Sequence, residues 1–155
     1  VLTVFSSMFL HGGVIHLVGN MLYLWIFGNN VEDAMGHKRF IVFYLLSGII
    51  AALFQFLYDP FSNIPMIGAS GAVSGILGAY LVLFPYARIK TLLFIVIFIK
   101  IVEIPAIVLL TIWFFMQILY LGHGGVAWYA HIGGFVFGLV TVKLFSRKSA
   151  GKARG

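Results

Sequence analysis

Residues 68–80 read GASGAVSGILGAY, a run in which small residues recur at every third or fourth position after a serine. Gly71 and Gly75 have the GxxxG spacing, which lets two membrane helices approach each other closely. A second GxxxG pair lies in HIGGFVFG at 131–138. We therefore predict that these two helices pack together, which would bring Ser70 near the histidine that opens the second stretch.

The whole chain is too apolar for an ordinary soluble domain. Of its 155 residues, 62% are hydrophobic and 9% are charged, whereas soluble domains are about half apolar and a quarter charged. It has no cysteine, which excludes a disulfide framework and a thiol nucleophile. The net charge of +6 is carried between apolar runs and at the C-terminus, which is typical of membrane orientation. We expect a lipid bilayer as a partner, and no nucleic acid.

Five apolar segments are candidates for membrane spans, which need about 20 apolar residues and at least roughly 17. The run Thr91–Ile99 is too short to cross as a helix, and we predict that it lies at the interface or folds back against the bundle. The span that begins at Ser70 is short, so we expect residues 59–69 to enter the membrane as irregular backbone beside a water-filled cavity. The predicted fold is an all-α polytopic bundle with spans Phe9–Phe27, Phe40–Tyr58, Ser70–Tyr86, Pro105–Leu121 and Trp128–Phe145.

The basic residues orient these spans. Five crossings place residues 28–39, 87–104 and those after 145 on one side, with Lys143 in the last turn of the final span. All ten lysines and arginines then share one side, which the positive-inside rule identifies as the cytoplasm. We predict a multi-pass protein of a prokaryotic cell membrane. The expected domains are 1–145, embedded in the membrane, and 146–155, a basic disordered tail.

Polar residues from three of the predicted spans converge on the outer third of the membrane. Each of them alone is explained by hydrogen bonding between helices. Ionisable groups inside a membrane are nevertheless candidates for function, and their shared depth favours that interpretation. These residues are His11, His16, Asn20, Ser70 and His131.

A serine and a histidine at the same depth indicate nucleophilic catalysis. The Ser70 hydroxyl needs an adjacent base to take its proton, and His131 is the candidate on a facing helix. No carboxylate is placed to complete a triad, so we predict a Ser–His dyad. His16 and Asn20 lie four residues apart on one helix face, and with the Ser70 backbone N–H they form a possible donor set for an oxyanion.

Several stretches of the sequence resemble the rhomboid family of intramembrane serine proteases. The resemblance covers nearly the whole chain and includes a GxSG motif, which begins at Gly68, followed by an AHxxGxxxG motif. The matching stretches are HGGVIHLVGN (11–20), VEDAMGHKRF (31–40), GASGAVSGILGAY (68–80) and AHIGGFVFG (130–138).

The resemblance implies Ser70 as the nucleophile and His131 as the general base. It also implies His16 and Asn20 as oxyanion donors, Gly68 as a supporting residue, and His11 as a structural hydrogen-bonding residue near the site. A rhomboid core has six helices, so the resemblance implies that a first helix precedes this sequence. Some relatives carry an aromatic residue four positions after the serine, stacked on the catalytic histidine. This chain has Ser74 there.

The predicted function is therefore an endopeptidase that cleaves transmembrane protein substrates near their outer ends, without a metal or other cofactor. An inactive relative that binds membrane clients is one alternative, and the presence of both Ser70 and His131 argues against it. A channel would need ionisable residues along the whole membrane. A metalloprotease would carry an HExxH motif, which is absent from the sequence.

Overall fold

The computed structural model describes residues 2–61, 67–95, 98–121 and 126–147. Most of these residues are helical, so the predicted helical bundle is confirmed, and one short antiparallel hairpin is added to it. The elements are α1 (Leu2–Ser7), α2 (Val14–Met35), α3 (His37–Tyr58), α4 (Ser70–Leu83), β1 (Arg88–Ile95), β2 (Phe98–Pro105), α5 (Ala106–Leu119) and α6 (Trp128–Phe145).

Helix α4 lies at the centre of the bundle. Every residue from Ala72 to Tyr80 is buried, and α2, α3 and α6 pack around the helix. Its apolar side chains join a core that includes Phe43, Leu110 and Phe135 from three neighbouring helices. A helix that is apolar on all sides is stable when other elements or lipid surround it. Because α4 is central, its first residue lies where several helix ends meet.

Glycines allow α4 and α6 to pack with their backbones in contact, as predicted. A Cβ added at Gly138 would lie 2.7 Å from the carbonyl carbon of Gly75, and one at Gly78 would lie 2.9 Å from the backbone nitrogen of Leu139. Both distances are shorter than the roughly 3.5–4.0 Å at which nonbonded heavy atoms rest. Since the opposing atoms are backbone, no side chain can turn aside to make room.

Two of the described helices, α3 and α6, have the length and hydropathy of membrane spans. Helix α6 coincides with its predicted span, and α3 begins three residues earlier than predicted. Helices α4 and α5 are apolar but have 14 residues each. Their predicted ends at Tyr86 and Leu121 were therefore too late, because the chain turns after Leu83 and Leu119.

The first span was predicted with the wrong boundaries. Helix α2 runs over Val14–Met35, whereas the apolar run predicted Phe9–Phe27. Gly13 precedes the helix, and glycine disfavours helical backbone. At the other end the helix continues through several polar residues, at least one of which has a partner in the bundle. The Asn30 amide, for example, donates a hydrogen bond of 3.3 Å to the hydroxyl of Tyr80 on α4.

Strands β1 and β2 form a hairpin that the sequence analysis did not predict. They pair in antiparallel register, with Lys90 opposite Glu103. The prediction that Thr91–Ile99 does not cross the membrane as a helix agrees with this hairpin. The backbone N–H of Ala106 donates to the carbonyl of Ala87 at 2.8 Å, so the chain leaves and rejoins the helices at one place.

The ends of α2 and α6 and the start of α3 meet at the end of the bundle opposite Ser70. The Arg39 guanidinium donates to the carbonyl of Phe145 at 3.4 Å. The backbone N–H of Arg147 donates to the carbonyl of Ala34 at 2.9 Å. These contacts agree with the prediction that the segments share one side. Most of the predicted tail, residues 148–155, lies outside the described residues.

Candidate active site

Ser70 follows a turn that requires glycine. Gly68 has a φ of +112°, a backbone conformation that residues with a Cβ rarely adopt. A Cβ at this position would also lie 2.7 Å from Cε1 of His16. The Gly68 N–H donates to the carbonyl of Ser7 at 2.8 Å, which fixes the turn against the chain before α2. Of the predicted irregular segment 59–69, residues 62–66 lie outside the described residues.

The hydroxyl of Ser70 lies 2.9 Å from Nε2 of His131. Ser70 is the first residue of α4, and His131 is in the first turn of α6. The contact depends on the glycine interface between the two helices. At the level of the serine, a Cβ on Gly71 would lie 3.9 Å from the Ala130 carbonyl oxygen. The structure therefore brings together the two side chains that were predicted as a dyad.

The other ring nitrogen of His131 contacts a residue that the sequence analysis missed. Nδ1 of His131 lies 2.9 Å from Oε1 of Gln117 on α5. The Gln117 amide nitrogen donates to the carbonyl of Trp113 at 3.0 Å, and the glutamine is buried, with 6% of its surface exposed. The available signal was a lone amide in the otherwise apolar run AIVLLTIWFFMQIL. Polar side chains at membrane depth are candidates for function.

Two tryptophans enclose the imidazole of His131. The Trp113 ring centroid lies 6.2 Å away at an interplanar angle of 34°, and that of Trp128 lies 5.9 Å away at 88°. Ser74, at the position where some relatives carry an aromatic residue, does not take this role. Its hydroxyl donates to the carbonyl of Ser70 at 2.7 Å. The aromatic contacts with the histidine therefore come from α5 and α6.

Two cavities, each of about 390 Å³, share Ser70 and His131 in their walls. The first is bounded by small residues such as Gly48 and Ala51, and the second by larger ones such as Tyr23 and Trp113. His16 lines both cavities, and Asn20 lines the second. The predicted oxyanion donors therefore face the same space as the serine and the histidine.

Asn20 and His11 have different surroundings. The Asn20 amide donates one hydrogen bond of 2.9 Å to the carbonyl of His16, and an amide nitrogen has two N–H groups. The His11 ring packs edge-on against His16, with centroids 5.5 Å apart. Nε2 of His11 is buried and has no hydrogen-bond partner among the described residues. The structural hydrogen bond expected of His11 is therefore not made there by this nitrogen.

The chemistry available at this site is that of a hydroxyl, an imidazole and several N–H donors. A base in contact with a serine hydroxyl activates it as a nucleophile. The first N–H groups of a helix have no partner within that helix, and α4 presents them beside Ser70. Among the described residues, no three His, Cys, Asp or Glu side chains lie close enough to hold a metal ion.

Comparisons with known proteins identify the family. The family model described as the rhomboid domain matches residues 1–148. The chain is 36% identical over 97 residues to rhomboid protein 1, mitochondrial, of Saccharomyces cerevisiae, which is 60% of this chain and 28% of that protein. It is 44% identical over 72 residues to the rhomboid protease GluP of Bacillus subtilis, covering 46% of this chain and 14% of GluP.

A plant relative extends the match. RHOMBOID-like protein 4 of Arabidopsis thaliana is 37% identical over 140 residues, which is 87% of this chain and 32% of the plant protein. This chain thus spans less than a third of the length of each of these three relatives. Since they come from a bacterium, a yeast and a plant, the expectation of a prokaryotic membrane is unsupported. The family match, the apolar helices and the fold together establish that the chain belongs to the rhomboid family of membrane proteins.

Proposed function

We propose that this chain is the catalytic part of an intramembrane serine endopeptidase. It hydrolyses peptide bonds in or near the transmembrane segments of membrane proteins, through the dyad of Ser70 and His131. The observation that carries this proposal is the 2.9 Å contact between the serine hydroxyl and Nε2 of the histidine. That contact opens onto cavities large enough for a few substrate side chains. The similarity to a protein named as a protease, GluP, agrees with it.

The reaction follows from the two side chains. The Ser70 oxygen attacks the carbonyl carbon of the peptide bond while its proton passes to Nε2 of His131. A tetrahedral oxyanion forms. When it collapses, the C–N bond breaks and the histidine returns the proton to the leaving amine. The ester left on Ser70 is then attacked by water, which the histidine deprotonates in the same way. The C–O bond to Ser70 breaks, and the histidine returns the proton to the serine oxygen.

The oxyanion needs donors that are already in place before attack. The backbone N–H of Ser70 is at the N-terminus of α4, where the helix dipole favours negative charge. The second N–H of the Asn20 amide and the His16 ring, both beside the same cavity, supply the others. Removal of one such donor typically lowers kcat by about 100- to 1,000-fold.

The substrate must present an extended peptide to this site. In a helix each carbonyl is already hydrogen-bonded and the backbone is surrounded by side chains, so a serine cannot approach the carbonyl carbon. A transmembrane substrate therefore unwinds locally before cleavage. Segments with glycine or other weak helix formers near the outer end of the span are the preferred class, because they unwind at low cost.

Cleavage of a labelled transmembrane substrate by the full-length protein in liposomes tests the proposal. Ser70→Ala and His131→Ala should each abolish cleavage, and Ser70→Ala should also abolish labelling by a fluorophosphonate. Ser47→Ala is the matched control, since this buried serine donates to the carbonyl of Phe43 in its own helix, at 2.8 Å, and lies outside both cavities. Cleavage by Ser70→Ala at the wild-type rate would refute the dyad. An inactive wild-type protein would favour the client-binding alternative.

A further inference from the structure

We propose that Gln117 is the positioning residue of the dyad, which selects the tautomer of His131 that can act as a base. This inference rests on the proposed function, because it assigns to one buried amide the task that a carboxylate performs in a Ser–His–Asp triad. Its basis is the row of hydrogen bonds that runs from the Trp113 carbonyl through Gln117 and His131 to Ser70.

The orientation of the glutamine amide is fixed by its other partner. The Trp113 carbonyl oxygen is only an acceptor, so the group facing it at 3.0 Å is the NH₂ of Gln117. The amide oxygen must then face His131. Rotation of the amide by half a turn would place two acceptors against each other on one side. At 6% exposure, the side chain has little access to water that would correct such a mismatch.

The amide oxygen in turn determines where the imidazole carries its proton. An oxygen acceptor 2.9 Å from Nδ1 requires a proton on that nitrogen. A neutral histidine has one N–H, so Nε2 is left with its lone pair directed at the Ser70 hydroxyl, also at 2.9 Å. That is the tautomer that can accept the serine proton. In the opposite tautomer, Nε2 would carry a proton and could not act as the base.

The same contact restrains the ring. Trp113 and Trp128 pack against His131, which limits the movement of the ring but does not determine which of its nitrogens carries the proton. A hydrogen bond to Nδ1 distinguishes the two nitrogens, and aromatic packing does not. This separates the role of Gln117 from that of the tryptophans. It also gives the chain an orienting residue although Ser74 stands where some relatives place an aromatic ring.

Two variants and one control test this assignment in the full-length protein in liposomes. Gln117→Leu removes the acceptor at similar volume, and Gln117→Glu retains it. Gln55→Leu repeats the first substitution on α3, where Oε1 of Gln55 has no partner among the described residues. We expect Gln117→Leu to lower kcat by about 100-fold, within the range of general-base catalysis, with KM changed less than about threefold. Gln117→Glu should restore at least a tenth of the activity, and Gln55→Leu should cleave like the wild type.

A spectroscopic readout separates positioning from a purely structural role. In protein labelled with ¹⁵N-histidine, measured at a pH where the ring is neutral, the signals of His131 should report a proton on Nδ1. In Gln117→Leu they should report a mixture or the opposite tautomer. A proton on Nε2 in the wild type would overturn the inference, and this measurement requires no variant to fold. An unchanged tautomer in Gln117→Leu, or its cleavage at the wild-type rate, would also overturn it.

The experiments distinguish a failure of this inference from a failure of the proposed function. If Ser70→Ala and His131→Ala are inactive while Gln117→Leu is fully active, the dyad stands and only the role of Gln117 is wrong. If Ser70→Ala remains active, the proteolytic proposal itself is wrong. The tautomer of His131 in the wild type still tests the hydrogen-bond row in that case.

Discussion

Replacing Gly138 with alanine should inactivate the dyad from a distance of two helical turns. Gly138 is seven residues after His131, or roughly 10 Å along α6, and it lines neither of the two cavities. An added Cβ would overlap the carbonyl oxygen of Gly75 and lie 2.7 Å from its carbonyl carbon. Because nonbonded carbons rest at about 3.5–4.0 Å, the helices must separate by roughly 1 Å.

The separation has two measurable costs. Overpacking of this kind typically lowers stability by about 1–3 kcal/mol. The same shift lengthens the contact between Ser70 and His131 from 2.9 Å beyond hydrogen-bonding range, and a displacement of about 1 Å at reacting groups can lower the rate roughly 100-fold. We therefore expect the loss of activity to be far larger than the loss of folded protein.

The assay measures the rate of fluorophosphonate labelling of Ser70 together with the midpoint of thermal unfolding in detergent. Gly138→Ala should label about 100-fold more slowly at a temperature where it remains folded. Gly13→Ala is the matched control, since Gly13 lines neither cavity and no atom beyond its chain neighbours lies within 4 Å of a Cβ built there. It should label like the wild type and unfold at the same temperature or higher. Wild-type labelling by Gly138→Ala would refute the argument from helix spacing.

Three further predictions concern the oxyanion donors, the turn before the serine and the hairpin. Asn20→Ala should lower kcat by about 100-fold or more with little change in KM, and steady-state cleavage in which only KM rises would contradict an oxyanion role. Gly68→Ala should strain the backbone by about 1–3 kcal/mol, and the added Cβ should press on His16. The rate of fluorophosphonate labelling and the thermal stability should therefore both fall. If neither changes, the turn does not require glycine. Ile101 on β2 is 67% exposed, so Ile101→Trp places a fluorescent side chain on the surface of the hairpin. Brominated lipids in liposomes should quench the fluorescence of this tryptophan if the hairpin lies at the membrane interface. Quenching by aqueous iodide alone would place the hairpin in water.

The sequence could predict those parts of the site whose residues recur at a regular spacing. The glycine pairs have the period of a helix face, so the packing of α4 on α6 followed from them. Ser70 and His131 lie at the same end of those two helices, so the packing also predicted which polar residues would be near each other. Composition predicted a membrane protein, and the direction of each span, inferred from the basic residues, stays a prediction.

The hairpin and Gln117 left weaker signals. Thr91–Ile99 is apolar at nearly every position, so it lacks the alternation that identifies a strand, and it contains both the end of β1 and the start of β2. Gln117 is a single amide, and the residue that it contacts depends on the rotation of α5 about its axis. Without coordinates, a hydrogen bond to His131 and one to surrounding helices are equally compatible with its position in the sequence.

The geometry of this site must be held tightly because its hydrogen bonds are made by hydroxyl, imidazole and amide groups. None of the described residues that line the two cavities is acidic, and an aspartate near the centre of a membrane helix costs about 2.5–3.5 kcal/mol to insert. In our proposal Gln117 orients the histidine without introducing a charge. A neutral hydrogen bond, however, is roughly half as strong as one to an ion and weakens steeply as its angle departs from linear. In the proposed reaction an oxyanion and an imidazolium form together, so the stabilisation of that pair would depend on donors and acceptors placed beforehand by the glycine contacts of α4 and α6.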